Sequence, residues 1–210
     1  MPSPDRVLTA SLAVPEWSDR RLTGPDSFDN DLSTYWQIVT TQGQLPPPPG
    51  HAVENGQLML SNSSARVYQI DWTDYVVTVR ICLKEAASGE SNFGIHARTT
   101  SSNFGIKNMD RYDLVITCLD GAPTGLYLGF NYRDASNVGH NANLGRSSHR
   151  IAPGQWYTLE FEVRGQQLRG YPDGKLMVEG TDERLSKGGI WLGAWRSHVL
   201  FDDFSVRQLP

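Results

Sequence analysis

Long hydrophobic runs, helical periodicity and charge of one sign are all missing from this sequence, and each absence closes off a class of protein. The longest apolar stretches, such as Tyr75-Val76-Val77, fall far short of the ~20 residues a helix needs to cross a bilayer, so no membrane partner is expected. No window of about eleven residues keeps apolar side chains at i, i+3, i+4 and i+7, which argues against amphipathic helices. The net charge is −4 with acids and bases interspersed, and no basic stripe offers itself to a nucleic acid. Cysteine is scarce, with only Cys82 and Cys118, each inside a strand-like run. A disulfide between neighbouring strands and two buried thiols are equally open, and the pair fixes no compartment. Met1–Thr23 has no continuous apolar stretch and carries Asp5, Arg6, Glu16, Asp19, Arg20 and Arg21, so it does not read as a secretory signal. That leaves a cytoplasmic protein, or a secreted one whose signal has been removed. No Cys/His spacing suits zinc, no glycine-rich phosphate loop precedes a helix, and no Gly-x-Ser-x-Gly elbow is present.

What remains is alternation. Hydrophobic residues make up 39% of the chain and charged residues 20%, enough patterned apolar content for a packed core. In Trp156–Arg164, Tyr157, Leu159, Phe161 and Val163 point one way and Thr158, Glu160, Glu162 and Arg164 the other. Similar runs cover Tyr35–Thr40, Gln57–Leu60, Arg66–Ile70, Tyr75–Leu83, Phe93–Arg98, Tyr112–Leu119, Leu126–Arg133, Gln167–Tyr171, Lys175–Glu179, Gly189–Ala194 and Val199–Arg207. Turn residues punctuate them, as in Pro172-Asp173-Gly174. About eleven to thirteen strands without helices predict an all-β, two-sheet antiparallel β-sandwich of the jelly-roll kind. No linker separates domains, so residues 1–24 are read as an N-terminal extension and 25–210 as one domain. Asp134–Arg150 reads as a long polar loop of the sort that often carries function.

The order of these segments resembles bacterial concanavalin A-like lectin/glucanase domains over residues 25–207. The resemblance opens with Asp26–Leu32, Trp36 and Val53–Leu58, and continues through Trp72–Tyr75 and Asn92–Arg98. Gly154–Tyr157, Tyr171–Leu176 and Phe201–Val206 complete it. Within that superfamily the chain is most similar to 3-keto-disaccharide hydrolase-like domains and to fructan-binding modules. The Glu-x-Asp-x-x-Glu strand of laminarinase-type members is missing. Glu160 and Glu162 come nearest, on a strand expected in the convex sheet, so a retaining glucanase mechanism is not expected.

Strand parity nominates the site. With Phe93, Ile95 and Ala97 inward, Asn92, His96 and Arg98 share the opposite face, and the resemblance implies that this arginine projects into a ligand groove. The alternative for Arg98 is a structural ion pair with a carboxylate such as Asp113, and for His96 an ordinary sheet-surface histidine. Asp113 stands opposite the core residues Tyr112, Leu114 and Ile116. Its setting resembles the Tyr-Glu of the keto-disaccharide hydrolases, which makes it a general base or hydroxyl acceptor, or else a charge partner of Arg98 or Arg133. Tyr127, Asn131 and Arg133 share one face of their strand, where amide and guanidinium groups can fork ring hydroxyls. Trp195 is a candidate stacking platform, while Trp36, Trp72 and Trp156 are assigned to the core. Many relatives hold a structural calcium between the first and last strands, which the resemblance places at Asp29 and Asp203, with solvated turn acids as the alternative. The expected partner is a saccharide or glycoconjugate. Three functions stay open: a lectin-like domain, a sugar-active enzyme using Asp113 and His96, and a small-molecule-binding or biosynthetic protein that reuses the groove.

Overall fold

The computed structural model describes residues 28, 36–40, 47–67, 71–100, 110–134, 136 and 138–210. Among them stand twelve strands and no helix, hence no helix long and apolar enough to cross a membrane. They are β1 (Trp36–Thr40), β2 (Gly50–Glu54), β3 (Gln57–Val67), β4 (Tyr75–Ala86), β5 (Glu90–Thr99) and β6 (Arg111–Leu119). Then follow β7 (Ala122–Arg133), β8 (Gly139–Ser147), β9 (Trp156–Arg164), β10 (Gln167–Pro172), β11 (Val178–Thr181) and β12 (Gly189–Gln208).

Every strand pair is antiparallel, and the hydrogen-bonded order runs β11-β10-β9-β4-β12-β5-β6-β7-β8, with β3 joining β12 to β1 and β2. This continuous ladder folds into two layers because β12 changes neighbours along its length. Its first part, Gly189–Trp195, pairs with β5, and its second, Ser197–Gln208, pairs with β4. Strand β3 follows it along both parts and slips register between Ala194 and His198. The corner is turned by two residues with left-handed backbone, Asn62 (φ 44°) and Arg196 (φ 51°), and the Arg196 N–H donates to Asn62 Oδ1 at 3.2 Å.

The core lies between the layers. Leu159, Phe161 and Val163 of β9 and Val77, Val79 and Ile81 of β4 meet Tyr112, Leu114 and Ile116 of β6 there. Contact is close enough that a methyl group on Gly170 of β10 would overlap Leu114 Cδ1 of β6. At the far edge Gly180 of β11 packs on β8, where a Cβ would lie 2.8 Å from the Leu144 carbonyl oxygen. Each fully buried Leu, Ile, Val or Phe contributes roughly 1.5–3 kcal/mol of apolar burial, which is why the two-residue period survives in these strands.

Four segments differ from the sequence reading. Gly189–Ala194 and Val199–Arg207 are one strand, and Gln57 to Val67 is likewise continuous, because the polar residues between them turn the sandwich corner without breaking the ladder. Asp134–Arg150 is not a loop throughout: β8 occupies its middle. In the segment Lys175–Glu179 only Val178 and Glu179 belong to a strand. The turn before it has positive φ at Asp173 (48°) and Gly174 (73°), a conformation that glycine adopts without strain. Both cysteines are buried free thiols.

Candidate functional site

With their apolar residues committed to the interior, β5, β6 and β7 turn the opposite parity outward, and this polar face forms the floor of a groove. The cavity is about 880 Å³ and is walled by residues of β3, β8 and β12 as well. Register puts Trp191, His96, Asp113 and Gly129 in one row across four strands. Glycines shape its floor. The His96 ring lies over Gly193, where a Cβ would overlap Nε2, and the Tyr127 ring lies over Gly129, where a Cβ would overlap the phenol.

Asp113 sits at the centre and is only 4% exposed. Its Oδ1 accepts from His96 Nδ1 at 2.6 Å and from Arg111 Nε at 2.8 Å, and its Oδ2 accepts from Asn131 Nδ2. Burial alone pushes this carboxyl upward. The Arg111 and His96 charges, with the His96 and Asn131 hydrogen bonds, outweigh burial and hold it below the ordinary aspartate value. Asp113 is therefore an anion that can only accept, so Nδ1 of His96 donates the hydrogen bond between them and Nε2 is the ring nitrogen left facing away from the carboxylate. That nitrogen makes no hydrogen bond among the described residues and borders the groove. A buried carboxylate orienting an imidazole is the arrangement of a general base.

Polar contacts continue outward from Asp113. Asn131 Oδ1 accepts from Asn141 Nδ2 at 3.4 Å, and Asn141 Oδ1 accepts from the Tyr127 hydroxyl. Burial raises the Tyr127 phenol above its usual value and the Asp113 charge adds to this, against the opposing Arg146 charge and Asn141 bond. The phenol is thus held neutral as a donor. Arg146 spreads over the same ring, its guanidinium carbon 5.0 Å from the centroid. At the other end of the groove Trp195 is 39% exposed, while Trp191 is 3% exposed and backed by Arg66 at 5.6 Å. Trp195 therefore offers the accessible aromatic face.

The sequence matches the model of the 3-keto-alpha-glucoside-1,2-lyase-like domain over residues 26–207. The chain belongs to this family. Its fold also matches solved structures at low identity. A carbohydrate-binding module of family 66 from Bacillus subtilis aligns at 12% identity and TM-score 0.58, covering 82% of this chain and 95% of that one. A Bacillus licheniformis beta-glucanase aligns at 14% and 0.61, covering 88% and 97%. A structure from work on endo-acting O-glycanases of the human gut microbiota aligns at 14% and 0.65, covering 91% and 100%. No curated protein matches the sequence.

In this family member most of the residues nominated by parity meet in one place: Asn92, His96, Asp113, Tyr127, Asn131, Arg133 and Trp195 all line the groove. Arg98 does not, and its reading as a ligand residue is corrected. Its backbone is left-handed (φ 46°), which takes the side chain out of strand alternation and into the protein, 1% exposed. There its guanidinium donates to the carbonyls of Thr73 (2.6 and 3.0 Å), Gly165 (2.7 Å) and Leu185 (2.8 Å), and to Asp74 Oδ1 (3.2 Å). The ion pair considered as its alternative exists, with Asp74 in place of Asp113, and the charge partner of Asp113 is Arg111. Trp156 is also corrected: it lies on the outer face of β9, half-buried under the Arg80 guanidinium at 4.9 Å, while Trp36 is in the core and Trp72 packs against it.

Asp29 lies outside the described residues. The carboxylate of Asp203 meets Arg80 at 3.1 Å, and Asp202 meets the same guanidinium at 3.9 Å, so a calcium ion there would compete with a cation already in place. Arg111, Asn141 and Arg146 are groove residues that the sequence reading passed over. Arg111 had a signal, standing two residues before Asp113 and hence on its face. The other two were hidden because β8 is polar on both sides and reads as loop.

Proposed function

We propose that the concave groove binds a saccharide and that His96 and Asp113 act on it by proton transfer, following the 3-keto-glucoside 1,2-elimination pattern of the family. The observation that carries this reading is the His96–Asp113 pair, a buried carboxylate fixing an imidazole whose second nitrogen opens on the groove. A ketone at C3 of a hexose acidifies the hydrogen on C2. Nε2 takes that proton, the C2–H electrons form the C1=C2 bond, and the C1–O1 bond breaks with its electrons on the departing oxygen. The imidazolium, held by the Asp113 carboxylate, returns the proton to that oxygen. Amides of Asn131 and Asn141 supply donors for the C3 oxygen, on which enolate charge builds.

The test follows release of the departing alcohol and the ultraviolet absorbance of the conjugated enone, with 3-keto-glucosides and their unoxidised parents as substrates. His96→Ala and Asp113→Asn are each expected to lower turnover by roughly 10²–10⁴-fold. Full turnover in both variants would overturn the catalytic assignment. A second reading, a lectin-like domain, is favoured by the exposed Trp195 face beside the Asn92 amide, its register partner on β5, which recognition alone would use. Saturable saccharide titration without turnover on any substrate would put that reading in its place.

A further inference from the structure

The protein is acidic, with net charge −4, yet its groove is not. Three arginines, Arg111, Arg133 and Arg146, line it against two acids, Asp113 and Glu90, a net of +1. Asp113 contributes nothing to an incoming cation, because His96, Arg111 and Asn131 already engage its oxygens. Glu90 begins β5, four residues before the row of Gly94, Val115, Tyr127 and Arg146 and three strands away from Arg146. At ~3.4 Å per residue and ~4.8 Å per strand that is ~20 Å, more than two screening lengths at physiological salt. The acid and the arginines therefore occupy opposite ends of the groove.

Two of the guanidiniums are aimed rather than merely present. Arg111 is fixed through Nε to Asp113, and its terminal nitrogens make no hydrogen bond among the described residues. Arg146 is braced on the Tyr127 ring and pairs with no acidic side chain among the described residues. They stand on β6 and β8, either side of Asn131 and Tyr127 on β7. A guanidinium anchored by one edge or one face leaves a planar fork of donors free, the geometry that grips an oxyanion through two parallel bonds.

We propose that the saccharide bound here is acidic, a sugar bearing carboxylate or sulfate groups that Arg111 and Arg146 recognise. This deepens the saccharide reading above and rests on it. Such a ligand lies with its charged ring at the β6–β8 side and a neutral ring toward Trp195.

Calorimetric titration of the full chain with matched pairs tests it: galacturonate oligosaccharides against their methyl esters, and sulfated against unsulfated dextran oligosaccharides. The first pair isolates carboxylate, the second sulfate. At low salt the acidic member of at least one pair is expected to bind ~10-fold or more tightly than its neutral twin. That preference shrinks severalfold in about 0.5 M NaCl. Arg146→Gln, on an exposed edge strand whose loss of charge leaves the core untouched, and Arg111→Gln are each expected to cut the preference ratio by ~5-fold or more. Equal or tighter binding of the neutral twins overturns the acidic assignment and leaves the saccharide reading standing. A preference that survives both substitutions also overturns it. No binding in either pair or on a broad glycan array removes both.

Discussion

Replacing Arg98 with alanine separates a structural arginine from a ligand arginine. The substitution leaves the left-handed backbone at this position as it is and removes five hydrogen bonds, four to main-chain carbonyls and one to Asp74. Because the side chain is 1% exposed, the carbonyls of Thr73, Gly165 and Leu185 lose their charged donor in a place that water reaches poorly. Hydrogen bonds to charged groups contribute ~1.5–3 kcal/mol each but do not add, so the expected loss is the ~3–5 kcal/mol typical of breaking one partner of a buried ionic network. For a domain of this size, at ~2–4 °C per kcal/mol, the melting temperature falls by ~6–20 °C. Urea denaturation followed by tryptophan fluorescence gives the free energy, and Arg98→Lys serves as control. A lysine keeps the charge but cannot reach three carbonyls from one point, and is expected to recover less than half of the loss. Saccharide titration of folded Arg98→Ala is expected to match the parent. A loss of stability below ~1 kcal/mol together with collapsed saccharide binding would refute the reasoning and return Arg98 to the groove.

The remaining predictions concern the groove itself. Since the folded-state pKa of Asp113 is depressed, its contribution to stability is complete above the unfolded value of about 3.9 and is lost as pH falls toward the folded one. Asp113→Asn should therefore be less stable than the parent at neutral pH yet lose less between about pH 5 and 2, which acid titration by circular dichroism checks. Gly193→Ala must displace the His96 ring and is expected to cost ~1–3 kcal/mol and to weaken function, whereas Gly50→Ala, with nothing within 4 Å, should be close to neutral. Equal effects in those two thermal melts would count against the packed floor. Trp195→Ala is expected to weaken saccharide binding by roughly 2- to 13-fold, equivalent to ~0.5–1.5 kcal/mol of lost aromatic stacking, with the melting temperature little changed.

How much of this was legible beforehand depended on whether a strand has one oily face. In β5, β6, β7 and β9 it does, so the positions of His96, Asp113, Asn131 and Tyr127 followed from counting by twos. Strand β8 has no such contrast: one face borders the groove and the other presents only Ala142 and Leu144 to the interior, leaving Asn141 and Arg146 unrecognised. Arg98 failed for a different reason. Counting assumes extended backbone, and a single left-handed residue at the end of β5 ends its validity, a feature an arginine codon does not advertise. The break read between Ala194 and Val199 was similarly a bend, since Ser197 and His198 keep pairing while the strand passes from one layer to the other.

The shared use of β3 and β12 by both layers bears on how the molecule is assembled. These two strands meet across well over a hundred residues, the pairing of Leu58 with Phe201 among them. Until β12 has left the ribosome, β4 and β5 each lack a neighbour and the groove lacks Trp191 and Trp195. Strands β3, β4 and β5 therefore each keep an unpaired edge until then, and the pairing of one strand, over contacts this distant in sequence, closes both halves at once. Melting, by the same logic, should take both layers together, because neither can let go of β12 without undoing the other.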